Sequence, residues 1–278
     1  MNTIKTTLLL GLLTGLLVVM GQYVGGSQGA IVFFVIAMVI NFASYWWSDT
    51  IVLKMYRAQP LERNQAPEIY RMVEDLTQRA GMPMPKLYIL PQSTPNAFAT
   101  GRNPSHAAVA VTQGIIHLLS EEELKGVLAH ELSHIKHHDS LISTVAATIA
   151  GAITLIASIL RYSLMFFGSG RNRNDNVLGM LVLSILAPVA AVIIQLAVSR
   201  SREFAADKGG AELAGSPVGL ARALEKLERS VRHNPLQSGS YVTSHLFIVN
   251  PFRSSSLARL FSTHPSTEDR VKRLYALR

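Results

Sequence analysis

Residues 120–139, SEEELKGVLAHELSHIKHHD, decide how the rest of the chain is read. Ser120 with Glu123 three places on forms a capping box, which predicts a helix starting at about Glu121. Within that helix stands His130-Glu131-Leu132-Ser133-His134, an H-E-x-x-H pattern. The two histidines fall one turn apart on one face, so both imidazoles can converge on a single tetrahedral ion. Glu131, one position round, can reach a water on that ion without ligating it. Lewis acid, bound water and carboxylate base are the parts of a zinc hydrolase. A solvated histidine pair shows the same spacing; a third protein ligand separates the two cases.

His137, His138 and Asp139 are nearest in sequence. His137 lies ~10 Å along the axis from His130 at ~1.5 Å per residue, too far to share one ion unless the helix breaks. No glycine follows before Gly151 to break it. The third ligand is therefore expected from another element.

Outward from this helix the chain is apolar. Of 278 residues 49% are hydrophobic, and the mean hydropathy is positive, which points to a membrane protein. The absence of cysteine excludes a disulfide scaffold, a thiolate zinc site and a cysteine nucleophile. The net charge of +8 is scattered and accompanies no nucleic-acid motif, so no nucleic-acid partner is expected. Its basic residues, many close to apolar runs, fit anchoring at a bilayer surface.

Residues 6–48 carry no charge. The stretch GQYVGGSQG, Gly21 to Gly29, divides them into apolar segments at about 7–20 and 30–47. The second is long enough to span a bilayer and ends on the aromatic anchor Tyr45-Trp46-Trp47. The first is shorter and resembles a signal peptide, but no A-x-A site follows, so it reads as an uncleaved helix. Two more uncharged runs, 140–160 and 177–199, have spanning length, with Pro188 able to kink the last. Four spans in two hairpins result. Lys5, Lys54, Arg57 and Arg63 flank the open ends of the first hairpin, which puts the N-terminus and the residues after Asp49 in the cytoplasm. Arg161, Arg171 and Arg173 run against that orientation; the first hairpin is taken to set it.

Between the hairpins, residues 49–139 read as a small α+β part. A helix is expected over Ala66–Arg79, stopped by Gly81-Met82-Pro83-Met84-Pro85. Strands are expected at Lys86–Leu90 and Ala107–Val111, separated by a loop containing Asn96-Ala97-Phe98-Ala99-Thr100-Gly101. An exposed strand edge here could take up a peptide as an added strand.

After the last apolar run comes SREFAAD, Ser201 to Asp207, then Gly209-Gly210, a pair that predicts a helix stop at about Lys208. Glu203 and Asp207 share a face. Glu203 lies ~6 Å of helix beyond Ser199, and His134 lies ~9 Å before Ser140. If the third and fourth spans form an antiparallel hairpin, these residues emerge on one side of the membrane at similar height. Neither helix shows a break signal near them. Glu203 is thus expected as the third ligand, with Asp207 orienting a ligand histidine through its free ring nitrogen. The remaining residues of 200–278 predict helices at 217–231 and 267–277. His264, in STHPS, reads by itself as a surface residue.

HELSH, SREFAAD, NAFATG and STHPS stand here in the order found in the integral-membrane zinc metallopeptidases, a family that includes the bacterial HtpX proteases and the eukaryotic C-a-a-X prenyl endoproteases. Two spans before and two after the metal helix make the chain resemble the HtpX-type members over nearly its whole length. The resemblance implies a zincin-like (gluzincin) cytoplasmic domain and one zinc ion per chain, held by His130, His134 and Glu203. It also implies Glu131 as catalytic base, Asn96 and Ala97 bordering the substrate cleft, and His264 near the active site. The activity it implies is hydrolysis of membrane-protein or peptide substrates at the cytoplasmic face of the cell membrane, in the stress-related removal of misfolded or damaged membrane proteins. The alternative is a membrane protein that binds or transports zinc through His130, His134, His137 and His138. Transporters usually hold ligands near the bilayer midplane, whereas these residues lie outside the apolar runs.

Overall fold

The computed structural model describes residues 2–146, 148–149, 200–233, 246–249 and 265–277. The expected third span falls outside them from residue 150 on and the fourth does so entirely, as do the loop between those spans and His264.

Helix α1, Asn2–Trp46, is two helices merged across a kink at Gly25 (φ −140°) and Gly26 (φ 60°). Gly26 takes the left-handed conformation that glycine adopts without steric cost, and the chain turns back there. The two halves then pack together: Asn41 Nδ2 donates to Leu10 O at 3.3 Å and to Thr14 Oγ1 at 2.8 Å. The expected nine-residue loop from Gly21 to Gly29 is therefore almost all helical, and only the two central glycines leave the helix. Among the described residues one helix, Gly25–Trp46, is long and apolar enough to cross a membrane, and Leu10–Val19 is a shorter apolar helix. Leu13, Leu17 and Ala37 of the hairpin pack on Ile142, Val145, Ala146 and Ile149, which begin the third apolar run. Helix α2, Ser48–Met55, which the sequence did not predict, leads into the sheet.

The polar part is built on a four-stranded sheet: β1 (Gln59–Pro60), β2 (Lys86–Leu90), β3 (Ala97–Gly101) and β4 (Ala107–Thr112), in the order β1-β2-β4-β3. Strands β2 and β4 are parallel; β3 runs antiparallel to β4 and forms an edge. Here the expectation fails, since Ala97–Gly101 is a strand and not part of a loop. Its small residues are all buried, so it lacks the alternation of a half-exposed strand. Helix α3, Pro67–Ala80, ends at Gly81 in the left-handed conformation, as its sequence predicts.

Helix α5, Glu121–Lys136, follows the short α4, Gln113–Leu118, and starts on the full capping box of Ser120 and Glu123. Leu124, Val127, Leu128, Leu132 and Ile135 bury it among the sheet, α3 and the later helices α6 (Arg200–Ala214) and α7 (Val218–His233). At roughly 1.5–3 kcal/mol per fully buried aliphatic side chain, this helix anchors the domain. It ends at His137, and His138 has φ 58°, so the chain breaks there without a glycine before residue 139 resumes a helix. That break was not expected. His137 Nδ1 lies 2.8 Å from Ser133 O, and the break brings Asp139 back toward the ligand face.

The predicted stop at Gly209-Gly210 is also corrected. Helix α6 runs through both glycines and ends at Gly215, with φ 81°. A Cβ on Gly210 would lie 2.8 Å from the backbone nitrogen of His130, and one on Gly209 would lie 2.4 Å from Ser133 Oγ. The pair lets two backbones touch beside the histidines. Helix α8, Thr267–Tyr275, closes the domain, with the Arg273 guanidinium 3.8 Å from the centre of the Phe204 ring.

Candidate metal centre and active site

Helix α5 carries His130 and His134 one turn apart on one face, and their Nε2 atoms stand 3.2 Å from each other. Glu203, on α6, presents Oε1 3.5 Å from His134 Nε2 and Oε2 4.0 Å from His130 Nε2. One donor atom from each of the three lies within 4.8 Å of the others. Two ligand nitrogens ~2.0–2.1 Å from a tetrahedral zinc stand ~3.3 Å apart, so the histidines already have the spacing of the ion's first coordination shell. Charge leads to the same fit. Four buried carboxylates, Glu131, Asp139, Glu203 and Asp207, meet two enclosed guanidiniums, Arg202 and Arg270, which leaves two negative charges for one divalent cation.

Each histidine has a carboxylate at its other nitrogen. His130 Nδ1 is 3.0 Å from Asp207 Oδ1, and His134 Nδ1 is 3.5 Å from Asp139 Oδ2. Such partners fix tautomer and ring plane. Burial weakens protonated His134, but Asp139, Glu203 and Glu131 outweigh it and raise its pKa to about 9 without a metal. Burial likewise opposes ionised Asp207, yet the Arg270 guanidinium and His130 pull its pKa down to about 2.

Glu131 is buried beside the trio. Burial pushes its pKa up, partly countered by His130 and His134. Its Oε2 accepts a hydrogen bond from the Ala99 amide at 2.8 Å. The base candidate is therefore tied to the middle of edge strand β3, a strand absent from the sequence reading. Ala97 is buried at the start of that strand, opposite Val111. Asn96 precedes it with both amide atoms engaged: Nδ2 donates to Leu246 O and Oδ1 accepts from Ile248 N, each at 3.2 Å. In this structure Asn96 thus braces residues 246–249 against the sheet.

Sequence reasoning missed three contributors. Asp139 and Arg202 come together (Nη1 to Oδ1, 3.6 Å) because the chain breaks after α5. Arg270 is almost completely buried and clamps Asp207. Its signal was present, since Arg270 shares the inward stripe of α8 with Leu274, one turn on, and a charge in an apolar stripe needs a partner.

Known proteins resemble this chain along most of its length. The model of peptidase family M48 matches residues 63–278. A protein named protease HtpX homolog from Syntrophobacter fumaroxidans is 51% identical over 278 residues, covering 98% of each chain. The protein of the same name from Pyrococcus furiosus is 51% identical over 272 residues, covering 98% of this chain and 94% of its own. Among solved structures, the crystal structure of S. mikatae Ste24p matches with a TM-score of 0.49 and 18% identity, covering 99% of this chain and 63% of that one.

Proposed function

The chain belongs to peptidase family M48 and is a metalloprotease; from that premise we propose that His130, His134 and Glu203 hold one zinc ion per chain and that Glu131 is the base of peptide hydrolysis. The observation that carries the proposal is the convergence of the three donor side chains beside a buried carboxylate. When bound, zinc supplies a Lewis acid and lowers the pKa of a bound water. The remaining work falls to the chain. Glu131, held by the Ala99 amide in a buried setting, accepts a proton from the attacking water and delivers it to the leaving amine. Its raised pKa suits a group that must both take and return a proton. Asp207 and Asp139 keep the ligand histidines oriented. Strand β3 offers its edge to an extended substrate, with Ala97 at its beginning.

The substrates we propose are membrane proteins, cleaved near the cytoplasmic surface as part of quality control. The long apolar helix beside the domain supports this reading. Four spans in two hairpins, with residues 50–139 and 200–278 sharing the cytoplasmic side, belong to the same proposal, as does His264 near the reacting carbonyl. A metal carrier would leave Glu131 and its strand contact without a role.

The test is a set of single substitutions read for zinc content and proteolysis. Glu131→Gln is expected to keep about one zinc per chain and lose turnover. Glu203→Ala is expected to lose both, because two histidines alone hold zinc weakly. His137→Ala and His138→Ala are expected to keep the metal. Wild-type zinc binding in Glu203→Ala together with loss in His138→Ala would move the third ligand onto the break after α5 and overturn the assignment.

A further inference from the structure

Arg270 is the only arginine or lysine buried to this degree among the described residues, with 1% of its surface exposed. Nothing in the hydrolysis above uses it. Its Nε donates to Asp207 Oδ2 at 2.9 Å and its Nη2 donates to Oδ1 at 2.6 Å, a two-point clamp on one carboxylate. The same Oδ1 lies 3.0 Å from His130 Nδ1. Nη1 donates to Ile248 O at 3.0 Å and lies 3.8 Å from Glu203 Oε2. One planar group thus faces both acids of α6 and reaches a histidine of α5 both through Asp207 and directly, with Nη2 3.4 Å from His130 Nε2.

Stability alone does not call for such a residue. Burying a guanidinium is costly, and apolar side chains of similar volume often replace buried ion pairs without loss. Helix α8 has other means of docking, in Leu274, Val271 and the stacking of Arg273 on Phe204. What an apolar residue cannot do is hold a carboxylate in one plane. An aspartate with one oxygen near a histidine remains free to rotate about its side-chain bonds. A bidentate guanidinium fork removes that freedom.

We propose that Arg270 is a positioning residue for the metal centre. By clamping both oxygens of Asp207 it holds a carboxylate 3.0 Å from His130 Nδ1, and so restrains the ring that turns His130 Nε2 toward the ion. The proposal rests on the ligand set proposed above. It also gives the C-terminal helix a role in metal binding. Because α8 delivers the clamp, correct docking of the chain's end is a condition for holding the ion tightly.

The experiment uses the full chain in detergent, stripped of metal, with Zn2+ and Co2+ as probes. Zinc affinity is measured by competition with a chromophoric chelator, and ligand geometry by the d–d absorption of the cobalt form. Arg270→Gln and Asp207→Asn are each expected to weaken zinc by about 10- to 100-fold, the range for lost partners of metal-bound histidines. The double variant should be no weaker than the weaker single, because both act through one contact. Arg270→Lys should recover only part, since an ammonium cannot grip both oxygens. The cobalt spectrum should change in Arg270→Gln. Lys226→Gln, which breaks the Glu123–Lys226 pair far from the metal, should lower the thermal midpoint and leave zinc affinity and spectrum alone.

Wild-type affinity and spectrum in Arg270→Gln would overturn the proposal, as would losses that multiply in the double variant. If Arg270→Gln does not fold, Asp207→Asn is compared with the double variant, which removes both charges: equal zinc affinity supports the proposal and a further loss overturns it. A wild-type chain that takes up no zinc would overturn the ligand assignment itself, and this proposal with it.

Discussion

Gly210→Ala adds one methyl group at the closest approach of α6 to α5. Its Cβ would stand 2.8 Å from the His130 backbone nitrogen, 2.9 Å from its Cα and 3.2 Å from the Ala129 carbonyl carbon. All three are backbone atoms of a helix buried on several sides, so no side chain can swing away. Restoring an ordinary contact of 3.4 Å requires the helices to part by about 0.6 Å. Glu203 rides on α6 two turns before Gly210, and His130 is the residue pushed. The distances from Glu203 to the histidines, now 3.5 and 4.0 Å, should therefore grow by a comparable amount. Overpacking costs about 1–3 kcal/mol, and replacing a helical glycine by alanine returns about 1 kcal/mol, so stability should fall by no more than about 2 kcal/mol. Function should suffer more, because misplacement on the order of 1 Å can cost about 100-fold in rate. Zinc affinity, thermal unfolding and hydrolysis of an unstructured protein substrate are the three measurements. Expected is a folded protein with zinc bound at least about 10-fold more weakly and turnover reduced further. Wild-type zinc affinity and turnover in a folded Gly210→Ala variant would refute the idea that this backbone contact sets the ligand spacing.

Zinc binding should tighten as pH rises. Without metal, His134 holds its proton up to about 9, and zinc must displace it, so affinity should gain about one log unit per pH unit between pH 6 and 8 from this proton alone. Because that pKa is raised above its ordinary 6.5, the protonated form stabilises the metal-free fold; the contribution is complete below about pH 6.5 and lost as pH climbs through about 9. Zinc affinity independent of pH over that range, by chelator competition, would contradict the assignment of His134 as a ligand. For topology, the chain has no cysteine, so single cysteines report cleanly. One at Ser93 should resist an impermeant thiol reagent in intact cells and one at Ser169 should react; the opposite pattern would place the protease domain outside the cytoplasm.

Local signals made the centre of the molecule legible. The capping box, the apolar period of α5 and the one-turn spacing of His130 and His134 all act within a single helix, where sequence neighbours are spatial neighbours. Bringing Glu203 to them required only the counting of apolar runs. The failures have one common cause. A glycine pair ends a helix in water but lets a packed helix approach its partner, and which rule governs Gly209-Gly210 depends on Ser133 and His130, more than seventy residues earlier. Strand β3 is buried along its whole length because one face packs in the cluster with α5 and the other, through Phe98, meets Val52 and Leu53 of α2, so no alternation betrayed it. The break at His138 costs a left-handed turn without glycine, and its compensation, Asp139 meeting His134 and Arg202, is again non-local.

The same non-local contacts tie the catalytic machinery to the apolar helices. Strand β3 holds Glu131 through the Ala99 amide. One residue further, Thr100 Oγ1 meets Thr144 Oγ1 at 3.0 Å, and Gly101 O accepts from Ser140 Oγ at 3.2 Å, both on the helix that begins the third apolar run. Next, the Arg102 guanidinium lies over the Trp46 ring, 4.7 Å from its centre, at the end of the first hairpin. Tyr45, Trp46 and Trp47 are exposed there, as side chains of an interfacial belt must be. From Ala99 to Arg102 is three residues, ~10 Å of extended chain at ~3.4 Å per residue. The carboxylate proposed as base is thus fixed about 10 Å along the chain from the aromatic end of the first hairpin. The ties are short hydrogen bonds and a stacked cation rather than a flexible linker. Under the proposed roles of Glu131 and the β3 edge, a substrate strand laid along that edge would run between this carboxylate and the aromatic end of the hairpin.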